Sequence, residues 1–187
     1  MSSRNLGFNL GLSLQSLKGK VKTLLPRRNK LYSIILSKKR MCMCICGNDL
    51  DFSECCEPII TKQKQAKNPE ELMRSRYSAY VLANGEYLVY SSAKENRYAD
   101  DIALIEEFSN SVEWLRLDVL HVKDNTVEFK AYYRDNEGIQ VLHEKSNFIQ
   151  EEGEWKYADG TLYNAKVERN LSCPCGSGKK YKKCCAK

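Results

Sequence analysis

A chain of 187 residues, 42% apolar and 29% charged, is long enough to bury a core of its own. No apolar run approaches the ~20 residues that cross a bilayer, and 10% aromatic content argues against wholesale disorder. The formal charge of +6 invites a guess of nucleic-acid binding, which the distribution of charge along the chain tests.

Residues 1–41 carry ten Lys and Arg residues, from Arg4 to Arg40, and no acid. Leu10, Leu12, Leu14, Leu17, Val21, Leu24 and Leu25 lie among Lys18, Lys20, Lys22, Arg27 and Arg28, and Pro26 breaks any helix there. Such a basic leader is a disordered tail, an organelle-targeting or surface-seeking segment, or leader translated upstream of a true start at Met41 or Met43. A secretory signal fits poorly, because Asn9 and Gln15 interrupt the apolar part. Between residues 57 and 170, fifteen bases stand against twenty-one acids. The middle is therefore acidic and the basic character belongs to the two ends. Without a stripe of aromatic and basic residues, direct nucleic-acid recognition ranks last.

Segment 42–57 holds five cysteines, Cys42, Cys44, Cys46, Cys55 and Cys56. The middle segment, 58–170, opens with a helix start at Asn68-Pro69-Glu70-Glu71: Asn as cap, Pro at the first helical position, acids facing the helix dipole. Met73, Tyr77, Tyr80 and Val81 recur at helical spacing, and Asn84-Gly85 reads as the stop. Shorter helices are expected over 87–91 and 101–108. Beyond Asn110 the pattern changes to period two, with strands over 112–123, 126–134, 139–150 and 154–158, the last able to continue past Asp159-Gly160. The expectation is an α+β domain, a helix packed on a curved antiparallel sheet.

If a pocket lies between helix and sheet, the candidates to line it are His121, His143 and Glu144, with Arg76 and Tyr77 on the helix, and His143 is the better of the two histidines. Glu144 follows His143 on a strand, so the two point to opposite faces and cannot act as a pair. Trp114, Trp155, Tyr132 and Tyr133 read as core, and Arg76 as a buried partner for a carboxylate.

Segment 171–187 holds the remaining cysteines, Cys173, Cys175, Cys184 and Cys185. Aligning Cys44 to Cys56 with Cys173 to Cys185 gives C-x-C-x8-C-C twice, with Gly47 matching Gly176 and Phe52 matching Tyr181. Four thiols per copy suit a structural tetrahedral zinc site, with a glycine permitting the sharp turn after the close C-x-C pair. Disulfides are the weaker reading, since adjacent cysteines bridge only with strain and no export signal is evident. Cys42 is surplus or an alternative ligand. A zinc ion bound by four thiolates carries a formal −2, which Lys179, Lys180, Lys182 and Lys183 offset and which Asp49, Asp51 and Glu54 reinforce. On charge alone the C-terminal copy should hold zinc more tightly. Gly176-Ser177-Gly178-Lys179 is not a phosphate loop: its first glycine would fall at Cys173, and Lys180 stands where Ser or Thr binds magnesium.

The run CPCGSGKKYKKCC closely resembles the SEC-C zinc motif at the end of the SecA translocation ATPase, with Cys185 where a final His is common. One such element at each end, around RSRYSAYVLANGEYL (74–88) and LHEKSNFIQEEGEWKYADG (142–160), resembles the YchJ family of small bacterial proteins over residues 44–187. That resemblance implies a cystatin-like cone of the nuclear-transport-factor superfamily in the middle. The N-terminal copy departs from the usual pattern, with Ile45 for Pro and acids for lysines.

The leading functional expectation is a cytoplasmic, non-enzymatic zinc protein whose lysine-rich C-terminal module contacts a protein, or an RNA or ribosomal surface. A closed site of four cysteine ligands leaves no open coordination position for substrate. The alternatives are an enzyme or small-molecule binder using the cone pocket, and a thiol redox sensor that releases zinc on oxidation.

Overall fold

In a computed structural model of the chain, residues 43–98 and 100–186 are described. The readings of residues 1–41 and of Cys42 lie outside the described residues. Within these bounds four α-helices precede a four-stranded antiparallel sheet of order β1-β2-β3-β4. The helices are α1 (Glu57–Ile60), α2 (Pro69–Val81), α3 (Gly85–Tyr90) and α4 (Asp101–Ser111); the strands are β1 (Glu113–Lys123), β2 (Thr126–Asp135), β3 (Gly138–Glu151) and β4 (Glu154–Tyr163).

Helix α2 begins where its cap predicts. The Asn68 side-chain carbonyl accepts from the Glu71 N–H at 2.9 Å, and Pro69 occupies a position whose N–H would be unsatisfied. Its end differs from the expectation. The helix stops at Val81, and Ala83 at φ +53° turns the chain. Asn84-Gly85 starts the next helix instead: Asn84 Oδ1 accepts from the Tyr87 N–H at 2.9 Å. Gly85 is needed because a Cβ there would lie 2.7 Å from the Ile102 carbonyl oxygen of α4.

The meander follows from period-two sequence and tight turns. Lys123 pairs with Thr126, Asp135 with Gly138 and Glu151 with Glu154, leaving two-residue loops. Glu152 and Gly153 both adopt positive φ, the backbone a twisted two-residue hairpin demands. Strand β4 runs unbroken through Asp159-Gly160, a bulge at Asn147/Phe148 absorbing the register change. Gly160 fits because a Cβ there would sit 2.1 Å from Glu144 Oε1.

One sheet face carries Val127, Phe129, Ala131 and Tyr133, all buried, and receives α2, which contacts β1, β2 and β4. Tyr77, Tyr80, Phe108, Trp114 and Tyr133 form an aromatic cluster with centroids 5.6–6.1 Å apart. Edge-on and tilted packing of these rings joins α2, α4 and the β1–β2 ladder in one core. No described helix is long and apolar enough to cross a membrane.

Candidate metal centres

Both cysteine sets converge. Within each of the groups Cys44, Cys46, Cys55, Cys56 and Cys173, Cys175, Cys184, Cys185, the sulfurs lie within 4.8 Å of one another. The sulfurs of Cys46 and Cys55, and of Cys55 and Cys56, are 3.8 Å apart. Those of Cys175 and Cys184 are 3.6 Å apart, and those of Cys184 and Cys185 3.7 Å. A disulfide needs ~2.05 Å, whereas a tetrahedron of ~2.3 Å metal–sulfur bonds has edges of about 3.8 Å. The donor sets therefore fit a metal ion.

The local backbone is the same in the two centres. Gly47 at φ +81° and Gly176 at +78° make the turn after the C-x-C pair. Their N–H groups donate to the carbonyls of Cys44 (2.8 Å) and Cys173 (3.1 Å). The matched aromatics also play one part: the Phe52 carbonyl accepts from Cys55 and Glu57, and that of Tyr181 from Cys184 and Ala186. This closes the turn that presents the C-C pair.

Clustered thiols cannot all ionise without a counter-charge. The Cys46 thiol beside it holds Cys44 down to about 2, while burial first, and then the charges at Cys46 and Cys44, push Cys55 up to about 12. In the second centre the Ser177 hydroxyl lowers Cys175 to about 6, and Cys173 raises Cys185 to about 12. A divalent cation relieves this conflict by stabilising the thiolates together.

The surroundings differ. Cys44, Cys46 and Cys56 are at most 2% exposed and belong to the domain core, and the Cys46 carbonyl accepts from Arg74 Nη1 of α2 at 3.0 Å. In the C-terminal centre only Cys173 is buried, while Cys175, Cys184 and Cys185 are partly exposed. That centre sits by the other sheet face, where Lys130 pairs with Glu168 at 3.5 Å and Arg134 Nη2 reaches Cys185 Sγ at 3.8 Å. The spacing of the cysteines carries no sign of this difference, and the side chains that contact each centre, such as Arg74 and Arg134, are remote from them in sequence.

The pocket candidates are not brought together. Arg76 is buried, Nη1 donating to the Leu88 carbonyl at 2.8 Å and to Ser91 Oγ at 2.5 Å, with its guanidinium 4.8 Å from the Tyr157 ring. Tyr77 is buried edge-on to Trp114. His143 lies on the opposite sheet face, Nε2 being 2.7 Å from Glu128 Oε1 and the ring 4.8 Å from that of Tyr163. As its strand position requires, Glu144 points inward: it is fully buried and accepts from Ser146 Oγ (2.7 Å) and the Tyr157 hydroxyl (3.1 Å).

Comparison with known proteins agrees with this architecture. Residues 68–160 match the family model described as "YchJ, middle NTF2-like domain", and residues 169–187 match the SEC-C motif. A UPF0225 protein of Serratia proteamaculans is 42% identical over 154 residues, 78% of this chain and 98% of that one. One from Photorhabdus laumondii is 40% identical over 155 residues, covering 76% and 98%. The solution structure of a SEC-C motif containing protein from Rhodopseudomonas palustris superposes with TM-score 0.59 at 33% identity, covering 65% of this chain and 98% of that one. A crystal structure of a SEC-C motif containing protein from Psychrobacter arcticus gives TM-score 0.54 at 29% identity, covering 81% and 98%. With a core-embedded cysteine centre, an NTF2-like middle and a C-terminal SEC-C motif, the chain belongs to the YchJ, or UPF0225, family.

Proposed function

We propose that the chain is a cytoplasmic zinc protein without catalytic activity, in which the N-terminal metal is structural and the C-terminal module is a contact surface for an acidic protein partner. The observation that carries this reading is the exposure of Lys179, Lys180, Lys182 and Lys183 around a closed set of four cysteines. Four ammonium groups outweigh the formal −2 of a zinc tetrathiolate and leave a compact positive knob on an otherwise acidic domain. Four thiolates fill a tetrahedral zinc and leave no position for a substrate. The knob steers an acidic partner by charge, with a salt-sensitive association rate.

Two measurements test this. Metal analysis of the purified full chain is expected to find two zinc ions per molecule; one or none counts against it. Capture of partners from lysate by the wild type is then compared with a variant carrying Lys179, Lys180, Lys182 and Lys183 all as Gln. Loss of acidic proteins from the variant supports the reading, recovery of the same set contradicts it, and selective loss of RNA moves the reading to a ribosomal or RNA surface.

A further inference from the structure

We propose that a cleft between the segment following α1 and strand β4 binds a phosphate group, held by Lys62 and Lys64 beside the rings of Tyr90 and Trp155. The cleft has a volume of about 90 Å³, and its lining includes Lys62, Lys64, Leu72, Tyr90, Trp155 and Lys156. A single water needs ~10–15 Å³ on such a measure, so a phosphate fits and a large ligand would protrude. No cysteine or histidine is among the residues that line it.

The charges in the cleft do not cancel. Glu154 is engaged at both oxygens, accepting from Gln65 Nε2 at 3.0 Å, the Tyr90 hydroxyl at 2.6 Å and Lys156 Nζ at 2.6 Å. Its charge is thereby matched by that of the buried Lys156. Lys62 and Lys64 are left over: among the described residues neither forms an ion pair with a carboxylate. Lys62 is also set in place by its backbone. Its φ of +62° is a conformation L-residues rarely adopt, and its ammonium stands 4.0 Å from the centroid of Tyr90. Lys156 Nζ lies 3.8 Å from the same centroid and the Arg97 guanidinium, itself paired with Glu151, 5.9 Å from it, so three cations gather on one ring. A surplus of two positive charges matches a phosphate monoester, which carries about −1.5 to −2 at neutral pH. Ammonium groups bind such oxyanions by charge-assisted hydrogen bonds. The phosphate belongs either to inorganic phosphate or to a small organic monoester whose body leans on Trp155.

The test is amide and indole NMR on the zinc-loaded full chain, titrated with inorganic phosphate, with phenyl phosphate and with chloride at matched ionic strength. Saturable shifts at the Trp155 indole and the amides of residues 62–66 and 90 are expected with phosphate. Tighter binding of phenyl phosphate assigns the site to an organic monoester, and equal binding assigns it to free phosphate; either supports the proposal. The double variant Lys62→Gln/Lys64→Gln, whose spectrum elsewhere reports an intact fold, is expected to weaken binding at least about tenfold. Lys182→Gln/Lys183→Gln is expected to leave it unchanged. Shifts confined to residues 179–183, or non-saturating shifts equal to those with chloride, overturn the proposal.

Discussion

Arg134 of β2 places Nη2 3.8 Å from the sulfur of Cys185, while its Nη1 pairs with Glu113 on β1. One guanidinium thus fastens the C-terminal centre to the sheet. Its grip is that of a partly exposed contact, worth little to global stability. Arg134→Gln is therefore expected to change the unfolding free energy by less than about 1 kcal/mol. The same change should speed metal loss from the C-terminal centre, because a donor to a thiolate ligand is removed. Stopped-flow mixing with a chromogenic chelator checks this; unchanged release of both metals would contradict the assigned role.

The N-terminal centre behaves differently because it is part of the core. Cys46 is fully buried, and its carbonyl is tied to Arg74. Cys46→Ser is expected to destabilise the whole domain by about 3–5 kcal/mol, the scale for disrupting a buried charged network. Cys184→Ser, at a partly exposed position, should leave domain unfolding nearly unchanged while removing one metal. Denaturant unfolding followed by Trp fluorescence, with metal content measured in parallel, distinguishes them. Equal losses of stability would show that both centres are structural.

Burial also acts against the simple charge argument for metal retention. Asp49, Asp51 and Glu54 are at the surface, so their repulsion of the N-terminal thiolates is weakened by solvent and salt. The buried sulfurs, by contrast, are shielded from chelator and peroxide. Wild-type protein should release its metals in two phases, the C-terminal one first, and mild peroxide should oxidise Cys175, Cys184 and Cys185 before Cys44, Cys46 and Cys56. Thiol-mass labelling after each phase identifies the cysteines, and the reverse order would refute the argument from burial.

The parts of this molecule written in local chemistry were legible in the sequence. The Asn68-Pro69 helix start, the period-two strands and the paired C-x-C-x8-C-C sets each depend on residues a few positions apart, and the structure keeps all three. What local spacing does not carry depends mostly on distant partners. Asn84-Gly85 has the composition of a helix stop, yet Asn84 Oδ1 caps the next helix, and the close approach of the distant Ile102 carbonyl is what requires glycine at 85. The cleft is assembled from α1's exit, α3 and β4, so no spacing connects Lys62 to Tyr90 or Lys156. The unequal burial of two near-identical cysteine sets is likewise a property of their surroundings.

Gly160 shows how tightly the inner face is filled. A Cβ there would meet Glu144 Oε1 at 2.1 Å, Glu144 Cδ at 2.7 Å and the Tyr157 hydroxyl at 2.9 Å. Glu144 and Tyr157 are held by the core, so neither can swing aside. Gly160→Ala is expected to cost about 1–3 kcal/mol, the usual range for overpacking, and more if the Glu144 hydrogen bonds break. Gly153→Ala is a control for glycine loss alone, since no atom lies within 4 Å of its Cβ position, although its positive φ carries a backbone cost. A smaller shift in thermal midpoint for Gly160→Ala than for Gly153→Ala would show that the core yields.

Glu154 provides a test in pH. Lys156 first, then the Tyr90 hydroxyl and, more weakly, Gln65 lower its carboxyl from an ordinary 4.5 to about 2. A carboxylate whose folded pKa lies below its unfolded value contributes its full stabilisation above the unfolded value and loses it as pH falls toward the folded one. Wild type should therefore exceed Glu154→Gln in stability by about 1–2 kcal/mol, the scale of charge-assisted hydrogen bonds to a carboxylate. That gap should be flat from about pH 8 to 5 and should narrow from about pH 4.5 toward 2. Both proteins keep the same cysteines, so metal loss at low pH affects each alike and drops out of the difference. Urea midpoints of the pair at a series of pH values measure it directly. A gap already closing between about pH 7 and 5 would mean that Lys156 and Tyr90 do not hold the carboxylate as the geometry requires.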